Sequence, residues 1–291
     1  MNPWPDITAA IAHATGGAFR IEQRTPVGGG CINSAWRIEG QGQRYFVKIN
    51  NSAFGGMFAA ETAGLSAIAA TRTLRVPHPV CHGTNRNASW LVLEYIEFGR
   101  KSNMRLLGAQ LAALHRVTSR HYGWPHDNTI GATPQINTAS DDWCAFWREH
   151  RLGYQLKLAA TNGYVGRLQQ LGGRLMNHLP ELLSGRRPQP SLLHGDLWSG
   201  NAAFDAGGEP VIFDPAAYYG DREADLAMTE LFGGFSAEFY AAYREAYPLG
   251  AGYARRKTLY NLYHVLNHLN LFGGGYLAQA EDMMAELLAE V

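Results

Sequence analysis

A change of period near residue 98 constrains this chain more than any other feature. Before it, short apolar runs alternate with glycine-rich turns; from residue 104 onward apolar residues recur at helical spacing. The early runs are residues 19–22, 25–27, 34–38, 44–49 and 90–96, with glycine turns at 28–30 and 39–43 and one helix carrying Phe58, Leu65 and Ile68 on a common side. Short strands joined by such turns predict an antiparallel sheet. The later part predicts helices marked by Leu107, Leu111 and Leu114 and then over 141–161 and 164–183, with a short strand at 191–193 and a hairpin through 206–208. The expected architecture is α+β: a β-rich lobe over residues 1–97, with an antiparallel sheet and one helix, and a mostly α-helical lobe over 98–291. The polar stretch 119–140, rich in Gly, Pro, Asn and His, reads as a long loop, which in a compact protein is functional or mobile.

Composition narrows the function. The 291 residues carry 25 Lys+Arg against 25 Asp+Glu, so the chain lacks the positive surface that drives nucleic-acid binding. Residues 258–280 contain no charged side chain, but Asn261, His264, Asn267, His268, Asn270 and three glycines argue for a buried helix rather than a membrane span. With no signal-like start and three cysteines (Cys31, Cys81, Cys144) without metal spacing, the expectation is a cytoplasmic protein with reduced thiols. Oligomeric state leaves no mark on a single sequence.

Lys48 is one of four lysines and sits inside the apolar run Tyr45-Phe-Val-Lys-Ile49. A buried ammonium needs an anionic partner, whereas an edge-strand lysine would face water. Glu61, thirteen residues later on the next helix, and Gly28-Gly29-Gly30 upstream give the order of parts in a phosphate site. The glycines depart from G-x-G-x-x-G, because Asn33 takes the last position, and no G-x-x-x-x-G-K-[ST] is present. In His194-Gly-Asp-Leu-Trp-Ser-Gly-Asn201, Asp196 and Asn201 can place a carboxylate beside an acceptor hydroxyl and an amide oxygen on a metal ion. Asp214, after the following hairpin, supplies a stronger Mg2+ ligand. Each alone is also an ordinary turn former; together, in this order, they read as a phosphotransfer set.

His-Gly-Asp-Leu-Trp-Ser-Gly-Asn with a downstream Ile-Phe-Asp214 resembles the protein-kinase-like superfamily of small-molecule kinases. With Pro26–Asn33, residues 127–131, 133–135 and 270–273, the chain resembles the fructosamine kinase (ketosamine 3-kinase) family over nearly its whole length. The resemblance implies a bilobal protein-kinase-like fold with ATP and Mg2+ as cofactors. Asp196 would be the catalytic base or the group that orients the hydroxyl, Asn201 and Asp214 the metal ligands, Lys48 the phosphate contact paired with Glu61, and Glu94, Tyr95 and Ile96 the adenine hinge. His194 belongs to the structural part of the catalytic loop, and Asp225 matches the aspartate that braces that loop. Gly195 replaces the arginine of H-R-D, and ten residues separate Asp214 from Asp225, which leaves no room for an activation segment.

The implied activity is phosphorylation of a sugar hydroxyl of a free or protein-bound ketosamine, serving deglycation. Alternatives are an aminoglycoside or amino-alcohol phosphotransferase and a pseudokinase scaffold. Trp198 is a candidate for stacking on the sugar; Asn267, His268 and Asn270 could bind hydroxyls, and Asp127 an amine. Cys31, in the glycine loop, is a candidate redox-sensitive thiol. Partners are therefore expected to be ketosamine substrates, with no nucleic acid and no membrane.

Overall fold

A computed structural model describes residues 2–28 and 32–291. Along the chain run α1 (Trp4–Thr15), β1 (Gln23–Val27), β2 (Ser34–Gly40), β3 (Gln43–Asn51), α2 (Gly55–Thr71), β4 (Pro79–Thr84), β5 (Ala88–Glu94), α3 (Met104–Leu114), β6 (Asn128–Ile130) and β7 (Thr133–Gln135). Then come α4 (Trp143–Phe146), a π-helical turn (Trp147–Leu152), α5 (Gly153–Thr161), α6 (Arg167–Leu182), β8 (Ser191–Leu193), β9 (Ala202–Phe204), β10 (Pro210–Ile212) and β11 (Tyr218–Gly220). The chain ends in α7 (Glu223–Leu231), α8 (Ala237–Ala246), α9 (Tyr253–Phe272) and α10 (Leu277–Ala289).

These elements form two compact units. The first comprises residues 1–103 and 202–215, the second residues 104–201 and 216–291. The division expected at residue 97/98 thus falls at 103/104, and the β9–β10 hairpin joins the first unit. Backbone bonds explain the recruitment: Ile212 N–H donates to the Arg75 carbonyl at 3.0 Å and Gly99 N–H to that of Phe204 at 2.9 Å.

The first unit is built on an antiparallel sheet in the order β1-β2-β3-β5-β4. Strand β5, Ala-Ser-Trp-Leu-Val-Leu-Glu, is apolar on both faces because both are covered. Trp90 and Val92 join Ile38, Tyr45 and Val47 in a core closed by Ile7 and Ile11 of α1. That helix begins with a proline in its first turn and ends at Gly16, whose φ of +70° suits a left-handed cap. The unit therefore carries α1 ahead of the sheet as well as α2. Residues 52–71 are long and apolar enough to cross a membrane, but α2 within them packs on β4 and β5.

The second unit packs around α9, in which residues 259–267 are all buried, and this accounts for the absence of charge over those nine residues. Its core is aromatic, with Trp143, Phe146, Trp147, Tyr218, Tyr260 and Tyr263 in one cluster. Helix α6 lays Leu168, Leu175, Leu179 and Leu182 on its buried side. The stretch 119–140 differs from the expected loop: it holds the β6–β7 hairpin, locked by buried amides. Gln135 Nε2 donates to Asn128 Oδ1 and the Ala216 carbonyl, Asn128 Nδ2 to the Ala217 carbonyl, and Asn137 Nδ2 to Asn128 Oδ1, at 2.8–2.9 Å. Paired amides supply the order that a polar composition conceals.

Candidate active site

The expected site residues fall in both units, and each set is built within its own unit. In the first, Lys48 lies opposite Leu91 in the β3–β5 ladder and is only 6% exposed. Its Nζ donates to Glu61 Oε1 at 2.7 Å and to Asp214 Oδ1 at 2.6 Å. Burial pulls the ammonium pKa down, but the carboxylates of Asp214 and Glu61 outweigh it and raise the pKa. For Glu61, burial pushes the pKa up, against the attraction of Lys48. One cation between two carboxylates leaves a net negative charge, and the Asp214 side chain is 45% exposed. Asp214 has φ +58° although proline follows it, a conformation that sterics disfavour and that marks functional positions.

Arg75 holds the hairpin that carries Asp214. Its guanidinium bonds Asp205 Oδ2 at 2.5 Å and Glu94 Oε1 at 2.9 Å, joining the hairpin turn to the end of β5. The β3–β5 ladder stops at the Tyr45–Glu94 pair, so the backbone of Tyr95 and Ile96 lies beyond it. The Glu94 carboxylate is thus engaged, and the Tyr95 ring lies under Arg37 and Arg44. Among the described residues nothing lies within 4 Å of where a Gly28 Cβ would sit; Gly29, Gly30 and Cys31 lie outside the described residues. Asn33, the departure from the glycine pattern, accepts a 2.7 Å bond from Asn50 Nδ2 on β3. The Cys81 and Cys144 thiols are both pushed up by burial, Cys81 to about 11.

In the second unit the loop that carries Asp196 leaves β8 and is fastened by Asp225 at the start of α7. The Asp225 carboxylate accepts from His194 N–H at 2.7 Å and Gly195 N–H at 2.8 Å, and it meets His115 Nε2 at 3.1 Å. Burial alone would raise the Asp225 pKa, but the His115 bond, the nearby histidines and the Gly195 amide lower it. Asn201, at the end of a 3-10 turn, donates Nδ2 to the Asp196 carbonyl at 2.8 Å and to Asp196 Oδ2 at 3.3 Å. With the amide nitrogen so engaged, the amide oxygen is the remaining polar atom of the Asn201 side chain. An amide oxygen and a carboxylate are hard oxygen donors suited to Mg2+, which takes few protein ligands and keeps phosphate and water in its shell. Among the described residues, no group of three or more His, Cys, Asp or Glu stands ready to hold a metal by itself.

The candidate acceptor residues have mixed placements. The Trp198 indole folds over Gly200, where a Cβ would lie 2.3 Å from the ring, and meets Phe232 edge-on at 5.9 Å. His268 Nδ1–H donates to the His264 carbonyl, 2.8 Å away, and its ring is set among Phe232, Phe272 and Tyr276. Burial lowers its pKa. Asn270 spends its amide on α5, donating to the Gln155 carbonyl and Oε1 and accepting from Asn162. Asn267 Oδ1 accepts from Gln155 Nε2. Both asparagines are helix braces, and Asp127 Oδ1 accepts the Asn137 N–H at 2.8 Å.

Sequence reasoning missed His115, Arg75 and Asn50. A histidine closing the apolar helix α3 was the one visible signal; the roles of Arg75 and Asn50 depend on pairings across the fold.

The fold and this residue set define a protein-kinase-like phosphotransferase, an architecture shared with the solved aminoglycoside phosphotransferase APH(4)-Ia at 15% identity and a TM-score of 0.58 over 97% of this chain and 98% of that one. The fructosamine kinase family profile matches residues 3–290, and the chain belongs to that family. It is 52% identical to "Probable ketoamine kinase" of Synechocystis, over 98% of this chain and 97% of that protein. It is 46% identical to "Protein-ribulosamine 3-kinase, chloroplastic" of Arabidopsis thaliana, over 94% of this chain and 85% of that protein. The crystal structure of "Putative fructosamine-3-kinase" from Haemophilus somnus superposes with a TM-score of 0.91 at 30% identity, covering 98% of this chain and 97% of that one.

Proposed function

We propose that the chain is an ATP- and Mg2+-dependent kinase that phosphorylates a sugar hydroxyl of ketosamines, free or protein-bound. The observation that carries this reading is a complete phosphotransfer set on a chain 46% identical to a protein-ribulosamine 3-kinase over 277 residues. Lys48, held by Glu61, binds phosphate oxygens of the nucleotide. Asn201 and Asp214 hold Mg2+, which when bound neutralises phosphate charge. Asp196 orients the acceptor hydroxyl and takes its proton as the oxygen bonds to the γ-phosphorus and the bond to the β-phosphate oxygen breaks, releasing ADP. Most of the catalysis is positioning and charge neutralisation, so a braced loop matters as much as the base it carries. A scaffold has no requirement for this full set.

The test is ATP turnover across ribulosamines, fructosamines and aminoglycosides. Ketosamine turnover is expected, and turnover with aminoglycosides alone would overturn the reading. Asp196→Asn is expected to lower kcat by about 100-fold or more, the scale of a lost general base, with MgATP affinity retained.

A further inference from the structure

His264 is the feature of the second unit that the proposed reaction leaves unused. It lies on α9, 3% exposed, with its ring edge against Tyr263 at 5.2 Å. Among the described residues its buried Nδ1 has no hydrogen-bond partner, and Asp196 Oδ1 lies 3.9 Å away. A buried, unpaired ring nitrogen costs stability, so its retention calls for a use. Asp196 Oδ2 is already engaged by Asn201, so the two carboxylate oxygens face different elements, the 3-10 turn and α9.

The ring carries a single N–H. Burial, with contributions from His268 on the same helix and Arg151 on the π-helical turn, lowers its pKa to about 3 against the opposing pull of Asp225 on α7. A neutral imidazole can orient a carboxylate by a hydrogen bond without pairing with it as a full cation and weakening it as a base. Hydrogen bonds of a catalytic group are often long without substrate and shorten in the complex, and 3.9 Å falls within that range of adjustment.

We propose that His264 is a positioning residue, whose Nδ1–H donates to Asp196 Oδ1 when the acceptor binds and so fixes the carboxylate rotamer that receives the hydroxyl proton. This role rests on the kinase reading above. Asn201 on Oδ2 and His264 on Oδ1 together stop the carboxylate from rotating.

The test compares His264→Phe, which keeps the ring volume without a donor, with His264→Asn, whose amide nitrogen sits at the same distance along the side chain as Nδ1. Kinetics with a ribulosamine and MgATP should show the Phe variant reduced in kcat by about 10- to 100-fold, the scale of a hydrogen bond to a charged group, with the KM for ATP unchanged. The Asn variant should recover most of that loss. A stabilising shift on MgATP addition confirms that each variant is folded; if the Phe variant is not, His264→Leu takes its place against Asn. Wild-type kcat in the donor-less variant, or equal loss in both variants, overturns the role. A wild-type protein that phosphorylates no ketosamine overturns the function reading itself, and the role with it.

Discussion

At the scale of single residues, Gly195 shows why the loop before Asp196 departs from the H-R-D pattern of protein kinases. Its φ is +84°, and a Cβ built there would lie 2.1 Å from the Ala216 carbonyl oxygen. No arginine, nor any other side chain, fits without moving the backbone that β8 and β11 hold. The adjoining amides of His194 and Gly195 both donate to Asp225, so a displaced loop would also strand a buried carboxylate. Gly195→Ala is therefore expected to cost about 2 kcal/mol or more, from the left-handed backbone and the clash, and to lower kcat because Asp196 is the next residue. The unfolding midpoint in urea and the turnover number check both parts; a variant with unchanged stability would mean that the loop relaxes freely. The glycine was visible in the sequence as a missing arginine. Its physical reason was not, since that depends on a carbonyl twenty-one residues away.

At the scale of elements, the β9–β10 hairpin joins the first unit through one arginine. Arg75 bridges Glu94 at the end of β5 and Asp205 in the hairpin turn, while its own carbonyl receives Ile212. Asp214 stands two residues past β10, so the bridge sets where this carboxylate meets Lys48. Arg75→Ala should raise the KM for MgATP by about 10-fold, the loss expected when charged hydrogen bonds are removed, with a smaller effect on the KM for the ketosamine. Arg75→Lys should recover little, because a single ammonium lacks the planar fork that reaches two carboxylates. Steady-state kinetics with each substrate varied would decide it, and an equal rise in both KM values would contradict the role. The strands before residue 98 and the later helices were legible because their apolar periods are local. The allegiance of residues 202–215 was not, as it is set by Arg75, more than a hundred residues upstream. The π-helical turn at 147–152 was hidden for another reason: six residues are too few to separate its period from that of an α-helix. Its buried Arg151, which donates to the Ile136 carbonyl and Asn137 Oδ1 and stacks 4.1 Å over Tyr218, braces the hairpin that the sequence presents as a loop.

At the scale of the whole molecule, a chain with equal numbers of acids and bases places many of them inside. Lys48 is buried beside Glu61, the half-buried Arg186 meets the buried Asp221 and Glu223, and Arg256 is buried with Glu223 and Asp225 with His115. Such a molecule owes part of its stability to the protonation states of buried groups, and the sign can be worked out for two of them. The Asp225 pKa is depressed in the folded protein, so its contribution is present above the unfolded carboxylate range and is lost as the pH falls through the lower folded value. His264 acts at higher pH. Burial holds it at about 3, whereas the unfolded chain takes up that proton near 6.5. Between these values the unfolded state binds more protons than the native state, so stability is intact above about pH 6.5 and declines below it. At pH 5 the decline from this residue alone is about 2 kcal/mol. Urea unfolding at pH 7 and pH 5 should show the wild-type midpoint falling, and His264→Asn should lessen that fall by about the same amount, whatever its stability at pH 7. The depressed pKa of His268 acts in the same direction and remains in the variant, so a residual slope is expected. An identical fall in both proteins would mean that His264 is protonated in the folded state, and a protonated imidazole 3.9 Å from Asp196 would hold that carboxylate as an ion pair.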